Sequence, residues 1–422
     1  MSRDPIAELA AYLDASPSPF HAAASSAERL AAAGFVEVDE TDVWGATPLG
    51  FVRRGGAFVA WAVPDGLAAY APFRIVGAHT DSPGLRIKPN PDGGLLGWRQ
   101  LGVEVYGGPL LNSWLDRDLG VAGALTLRSG EQVLVDVRRP VARIPQLAIH
   151  LDRDVSDKGL VLDRQAHLSP VWGTGDPSPG AFAAWIAGEA GVTPDQVSGW
   201  ELQLYDLTPA GLLGQDRTLF ASGRLDNQLS CWAATAALRA AEREVGHTAV
   251  IALFDHEEVG SESVSGASGP LLTTVLERLV LARGGSREDL HRSFAGSSCV
   301  SADNAHAVHP NYPERHEPNH RPMVNRGPAI KVNSNQRYAT SSATAAVFQR
   351  ACDSAGVPYQ TFVSRNNMPC GSTIGPLAAT RLGIATVDVG VPQLSMHSAR
   401  ELCGAADPLH LATALRSYLG GA

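Results

Sequence analysis

Apolar positions fall into two periods along this chain. From Pro5 to Ala33 they repeat at helical spacing, broken at Ser16-Pro17-Ser18-Pro19. Ala57–Val63 and Phe73–Ala78 are short, nearly continuous apolar runs, the pattern of buried strands. After Gly84 the texture changes. Pro83, Pro89, Pro91 and Gly93-Gly94 punctuate it, and Leu125–Leu127 and Val133–Val137 alternate about a turn at Ser129-Gly130. This β-rich stretch runs to about Tyr205. Beyond Gly223, helices and strands alternate. Helices are predicted at Asp226–Val245, Leu271–Leu281, Thr340–Ala355, Gly371–Leu382 and Pro408–Leu419, and strands at Thr248–Phe254, Ser297–Ala302 and Ala385–Val389. Such alternation predicts an α/β fold around a parallel or mixed sheet. The simplest division is one α/β domain built from both ends of the chain, 1–85 and 206–422, with a β-rich domain inserted at 86–205.

Charge narrows the functions open to such a chain. A net charge of −9 disfavours phosphate backbones, and so nucleic-acid binding. No apolar run reaches the ~18 residues of a membrane span. Asp4, Glu8 and Asp14 break up the start of the chain, unlike a signal peptide. The five cysteines are scattered and form no CxxC pair, which points to reduced thiols in a cytoplasmic protein.

The polar residues that carry chemistry cluster at the ends of predicted strands, where open α/β sheets place their sites. His79 and Asp81 follow the first such strand; an imidazole two residues from a carboxylate suits a metal ligand with an orienting partner, and equally a solvated turn. Asp226-Asn227 opens the Ala-rich helix, as a helix cap also would. Asp255-His256-Glu257-Glu258 breaks directly out of an apolar strand. Gly260 stands where HExxH would need its second histidine, so this is not the zincin pattern. Asp303, with His306 beyond it, ends a further strand, and His397 follows another.

Taken together, His79, Asp226, Glu258, Asp303 and His397 are the donor types that hold two divalent ions of the zinc class, with cobalt or manganese also admitted. Asp226 is the natural bridging carboxylate. Glu257 is the candidate base that takes a proton from the attacking water, and Asp81 the residue that orients His79. A nucleophilic serine is not supported, because Gly371-Ser372-Thr373 is not GxSxG. Nor is there a P-loop or a clean GxGxxG.

The segments HTDS, SGRLDN, DHEEVGSES, SADNAHAVHPNYPERHEPNHRP, IKVNSNQRYATS, MPCGSTIGP and PQLSMHSARE occur in this order. With SPSPFH near the start and IPQLAIHL in the middle, they closely resemble the M18 metallopeptidases, the aspartyl aminopeptidases. The resemblance implies a zinc-peptidase-like α/β/α catalytic domain with an inserted β-rich dimerisation domain, and dimers assembled into a dodecamer. It implies the same five metal ligands with Glu257 as base, and a strained Asp226–Asn227 peptide. His150 is implied to reach a neighbouring subunit's active site, and Lys331 and His306 to lie near the substrate. The expected reaction is removal of N-terminal Asp or Glu from peptides. An aminopeptidase of broad or neutral specificity, or a non-catalytic metal-stabilised assembly, are the alternatives.

Overall fold

In the computed structural model, which describes residues 4–242 and 244–422, the largest sheet has nine strands. Its centre is parallel. Thr248–Phe254 pairs with Phe73–His79, which pairs with Ser298–Ala302, which pairs with Ala385–Gly390. Antiparallel Ala57–Ala62 and Leu49–Arg54 extend one side, with the short Val36–Glu37 beyond them. Ala329–Val332 and Gln360–Val363 extend the other.

The central strands are apolar throughout because both of their faces are covered. In Thr248–Phe254, Ile251 and Leu253 join the apolar cluster on one face, while Val250, Ala252 and Phe254 join the cluster on the other. The first face is packed by the helices Pro5–Asp14, Pro19–Ala31, Leu225–Arg239, Ser342–Ala355 and Asp407–Leu419. The second is packed by Leu271–Ala282, Arg287–Gly296 and Ile374–Leu382. The result is the expected α/β/α sandwich, in which each buried Leu, Val or Phe side chain contributes about 1.5–3 kcal/mol. A five-stranded sheet of short segments between Gly211 and Gly404 completes this unit.

Contacts divide the chain into two compact units. The first comprises the chain up to Asp81, Ala210–Met396 and Glu401–Ala422; the second comprises Ser82–Pro209 and His397–Arg400. The second unit holds a six-stranded antiparallel sheet. It also carries a helix, Ala181–Glu189, that the β-rich pattern concealed. Asp92 accepts the backbone N–H groups of Gly180 and Phe182, both at 2.9 Å, and so anchors the start of that helix. Phe182 in turn packs among Trp172, Trp185 and Trp200.

Two further boundaries differ from expectation. The helix predicted over Asp226–Val245 spans Leu225–Arg239, and Asp226 and Asn227 inside it have non-helical backbone angles. Neither residue caps it, and the peptide bond between them is cis. The helix predicted from Gly371 begins at Ile374, where the Thr373 side chain accepts the N–H of Gly375. Among the described residues, no helix is long and apolar enough to cross a membrane. All five cysteines are free thiols, four of them buried.

Candidate active site

The register of the central strands sets the site. Phe254 pairs with His79, and Ser301 with Gly77, so these strands end together at one edge of the sheet. His79 is the last residue of its strand. Glu257 and Glu258 follow Phe254 after a left-handed residue, His256, and Asp303 follows Ala302. Thr80 N–H donates to Phe254 O at 2.7 Å and the Thr80 hydroxyl to Gly56 O at 2.8 Å, tying the loops together just past the strands.

Around the buried His79, Nε2 lies 3.5 Å from Asp226 Oδ1, 3.8 Å from Asp303 Oδ1 and 3.9 Å from Glu257 Oε2. One donor atom each from His79, Asp226 and Glu258 lie within 4.8 Å of one another. Four-coordinate zinc with bonds near 2.0–2.1 Å holds its ligands about 3.3 Å apart, close to the 3.5 Å between His79 Nε2 and Asp226 Oδ1.

The electrostatics fit a divalent cation as well. Burial disfavours a charged His79, yet hydrogen bonding to Asp226, Asp303 and Asp81, and the charge of Glu257, hold its imidazolium well above the ordinary histidine value. The negative charge that would keep a proton there is the charge a divalent cation neutralises. Burial pushes the Glu257 carboxyl up to about 7; His79 opposes the rise, and Asp303, Asp81 and Asp226 add to it.

Asp81 is fully buried, and its two oxygens accept the N–H groups of Glu257 and Glu258. The Nδ1 of His79 sits 3.1 Å from Asp81 O and 3.4 Å from Asp81 Oδ1, so Asp81 faces that nitrogen with both backbone and side chain. Lys331 is only 2% exposed. Its ammonium donates to Asn304 O at 3.0 Å, lies 3.8 Å from Asp303 Oδ2, and stands 5.1 Å over the Tyr338 ring. His306 is exposed and edges onto Phe362. These two rings help line a cavity of about 210 Å³ with Arg315, His316, Tyr338 and Arg365. His397 and His150 belong to the second unit. His397 has a left-handed backbone and its Nδ1 is 3.1 Å from Gly108 O, the tautomer that leaves Nε2 as the lone-pair nitrogen. His150 is exposed.

Residues 12–419 match the family described as Aminopeptidase I zinc metalloprotease (M18). The chain belongs to the M18 family of aminopeptidases. An M18 aminopeptidase is a metal-dependent hydrolase, and among the described residues His79, Asp226 and Glu258 form a group that could hold a metal ion. The probable M18 family aminopeptidase 2 of Streptomyces coelicolor is 59% identical over 98% of this chain and 96% of its own length. The Mycobacterium leprae counterpart is 51% identical, over 98% and 97%. Among solved structures, the complex of Ape4 and Nbr1 superposes with TM-score 0.94 at 34% identity, covering 98% of this chain and 85% of that one. The prApe1 crystal structure gives 0.92 at 28%, covering 99% and 94%.

Sequence reading passed over several residues of this neighbourhood. Arg315 ends the short helix Pro313–Arg315 within the same quoted segment as His306, and Arg365 lies far along the chain, so only the fold brings all three to one cavity. Glu401 and Gln393, both 2% exposed, bracket His397 in the chain. Both lie inside the PQLSMHSARE segment, which was the signal available for them.

Proposed function

We propose that this M18 aminopeptidase removes N-terminal Asp or Glu from peptides at a dinuclear metal centre. The observation that carries the reading is the convergence of His79, Asp226, Asp303 and Glu257 within 3.9 Å of one imidazole nitrogen, with Glu258 in the same cluster. The ions would be held by His79, Asp226, Glu258, Asp303 and His397, with Asp226 the carboxylate proposed to serve both. Two divalent ions there, zinc in the first instance and cobalt or manganese as substitutes, supply Lewis acidity to the scissile carbonyl and acidify the attacking water.

Glu257 Oε2 takes the proton from that water and returns it to the leaving amine, so water adds across the C–N bond with no net change at the enzyme. Asp81 fixes the backbone of the base and the ring of His79. The acidic preference draws support from the cavity with Arg315 and Arg365 on its walls beside Glu317, where two guanidinium groups against one carboxylate leave a cationic donor for an acidic side chain. Lys331 and His306 are assigned to the substrate side of the site.

His150 is assigned to a neighbouring subunit's active site. Leu147, Ile149 and Leu151 around it are 57%, 52% and 75% exposed, an apolar stretch suited to burial against a second copy. Assembly into a dodecamer built from dimers follows the solved S. cerevisiae Ape1, whose structure is titled a dodecamer. The unpaired thiols favour the cytoplasm. Elemental analysis of the full chain tests the ligand set. Two metals per chain are expected, with a loss in Asp226→Ala; metal content untouched by that substitution overturns it.

A further inference from the structure

Glu401 lies outside the proposed ligand set, yet it reaches the backbone of the bridging residue. Its Oε2 accepts the N–H of Asp226 at 2.9 Å. The carbonyl of the same peptide unit, Leu225 O, accepts from Asn304 Nδ2 at 2.8 Å. Both polar groups of the Leu225–Asp226 peptide are therefore held by side chains. The two side chains are themselves linked. Asn304 Nδ2 also donates to Gln393 Oε1 at 3.1 Å, and Gln393 Nε2 stands 3.4 Å from Glu401 Oε1. Lys331 joins the network through Asn304 O. Asp226, Asn304, Lys331, Gln393 and Glu401 are each at most 3% exposed.

This arrangement answers a local need. Asp226 sits at the start of a helix but has ψ of 106°, so its backbone departs from the helical path. An Asp226 following the ordinary helix would turn its carboxylate with the helix's own spacing. Here the peptide ahead of it is clamped at both ends, and the carboxylate meets His79 at 3.5 Å. A charged acceptor makes a stronger bond to an N–H than a neutral one. Burying a carboxylate is costly, and this one is directed at the backbone of Asp226, a proposed metal ligand.

We infer that Glu401 is a positioning residue that sets the Asp226 carboxylate for metal binding. The inference rests on the dinuclear reading above. It is tested by titrating zinc into the chelated full-length protein against a competing chelator, for wild type, Glu401→Gln, Glu401→Asp and His79→Ala. Glu401→Gln is expected to keep the metal-free unfolding temperature of wild type and to bind zinc about 10- to 100-fold more weakly, with Glu401→Asp in between. A merely structural role would lower the metal-free unfolding temperature and leave the zinc affinity of the folded protein unchanged, and that result overturns the inference. If Glu401→Gln does not fold, Glu401→Asp carries the test, because it keeps the charge and shortens the reach to the Asp226 N–H. Weaker zinc binding then supports the inference and unchanged binding overturns it. Zinc uptake identical in wild type and His79→Ala would instead sink the metal-site reading, and the inference with it.

Discussion

Asp81 Oδ2 accepts the backbone N–H of Glu258 at 3.1 Å, while Oδ1 accepts that of Glu257 at the same distance. One buried carboxylate thus fixes two consecutive residues, a proposed ligand and the proposed base. An amide in its place has a single oxygen, so Asp81→Asn must set an NH₂ against one of those N–H groups. The expected outcome is zinc binding weakened about 10- to 100-fold together with reduced turnover. Unchanged affinity in a chelator competition would show that the loop holds its course without Asp81.

Glu257→Gln keeps the shape of the side chain and removes its ability to take a proton. Turnover should fall about 100- to 10,000-fold with metal content unaltered. Steady-state kinetics beside elemental analysis checks both halves. Retained turnover removes Glu257 from the role of base.

Gly390 packs directly against Asp303, the residue just past the neighbouring strand Ser298–Ala302. A Cβ at position 390 would stand 1.8 Å from Asp303 O, a backbone atom that cannot swing aside. Gly390→Ala should therefore displace the Asp303 segment, lowering stability by about 1–3 kcal/mol or more and weakening metal binding with it. Thermal unfolding with and without zinc reads both effects. A variant with wild-type unfolding and wild-type zinc affinity would show that the segment yields freely.

These sites differ in how far the chain announces them. The strands Phe73–His79 and Thr248–Phe254 are legible because central parallel strands are apolar on both faces, and an acidic run such as Asp255–Glu258 directly after one is conspicuous. The helix Arg287–Gly296 escaped notice because it buries little more than Leu290 and Ser293, leaving no clear apolar stripe; its capping box at Ser286 and Asp289 was the available sign. The strand Ala329–Val332 is short and carries Lys331 in its middle, a charge that strand patterns do not predict. The Asp226 contact with Glu401 spans 175 positions of sequence, and nothing local to either residue indicates the other.

Arg365 lines the cavity beside His306 and donates to Glu314 O. If that cavity receives an acidic side chain, Arg365→Ala should lower kcat/KM for Asp substrates about 10- to 100-fold, the range of a charge-assisted hydrogen bond, and leave Leu substrates nearly unchanged. Equal losses on both substrates would place Arg365 in the scaffold of the cavity and not in its selectivity.

His150→Phe should impair catalysis without lowering metal content. Mixed with Glu257→Gln protein under conditions of subunit exchange, it should regain part of the activity, because one chain brings the intact histidine and the other the intact base. No recovery despite demonstrated exchange would contradict action across subunits.

The most direct test of the central claim is hydrolysis of aminoacyl chromogenic substrates by the chelated protein, before and after zinc, cobalt or manganese is restored, comparing Asp and Glu with Leu, Ala and Lys. The account predicts no cleavage after chelation and restored cleavage that favours Asp and Glu. Restored cleavage favouring neutral residues would contradict the acidic preference. Absence of cleavage with every metal, in folded and metal-loaded protein, would contradict the catalytic reading of the site.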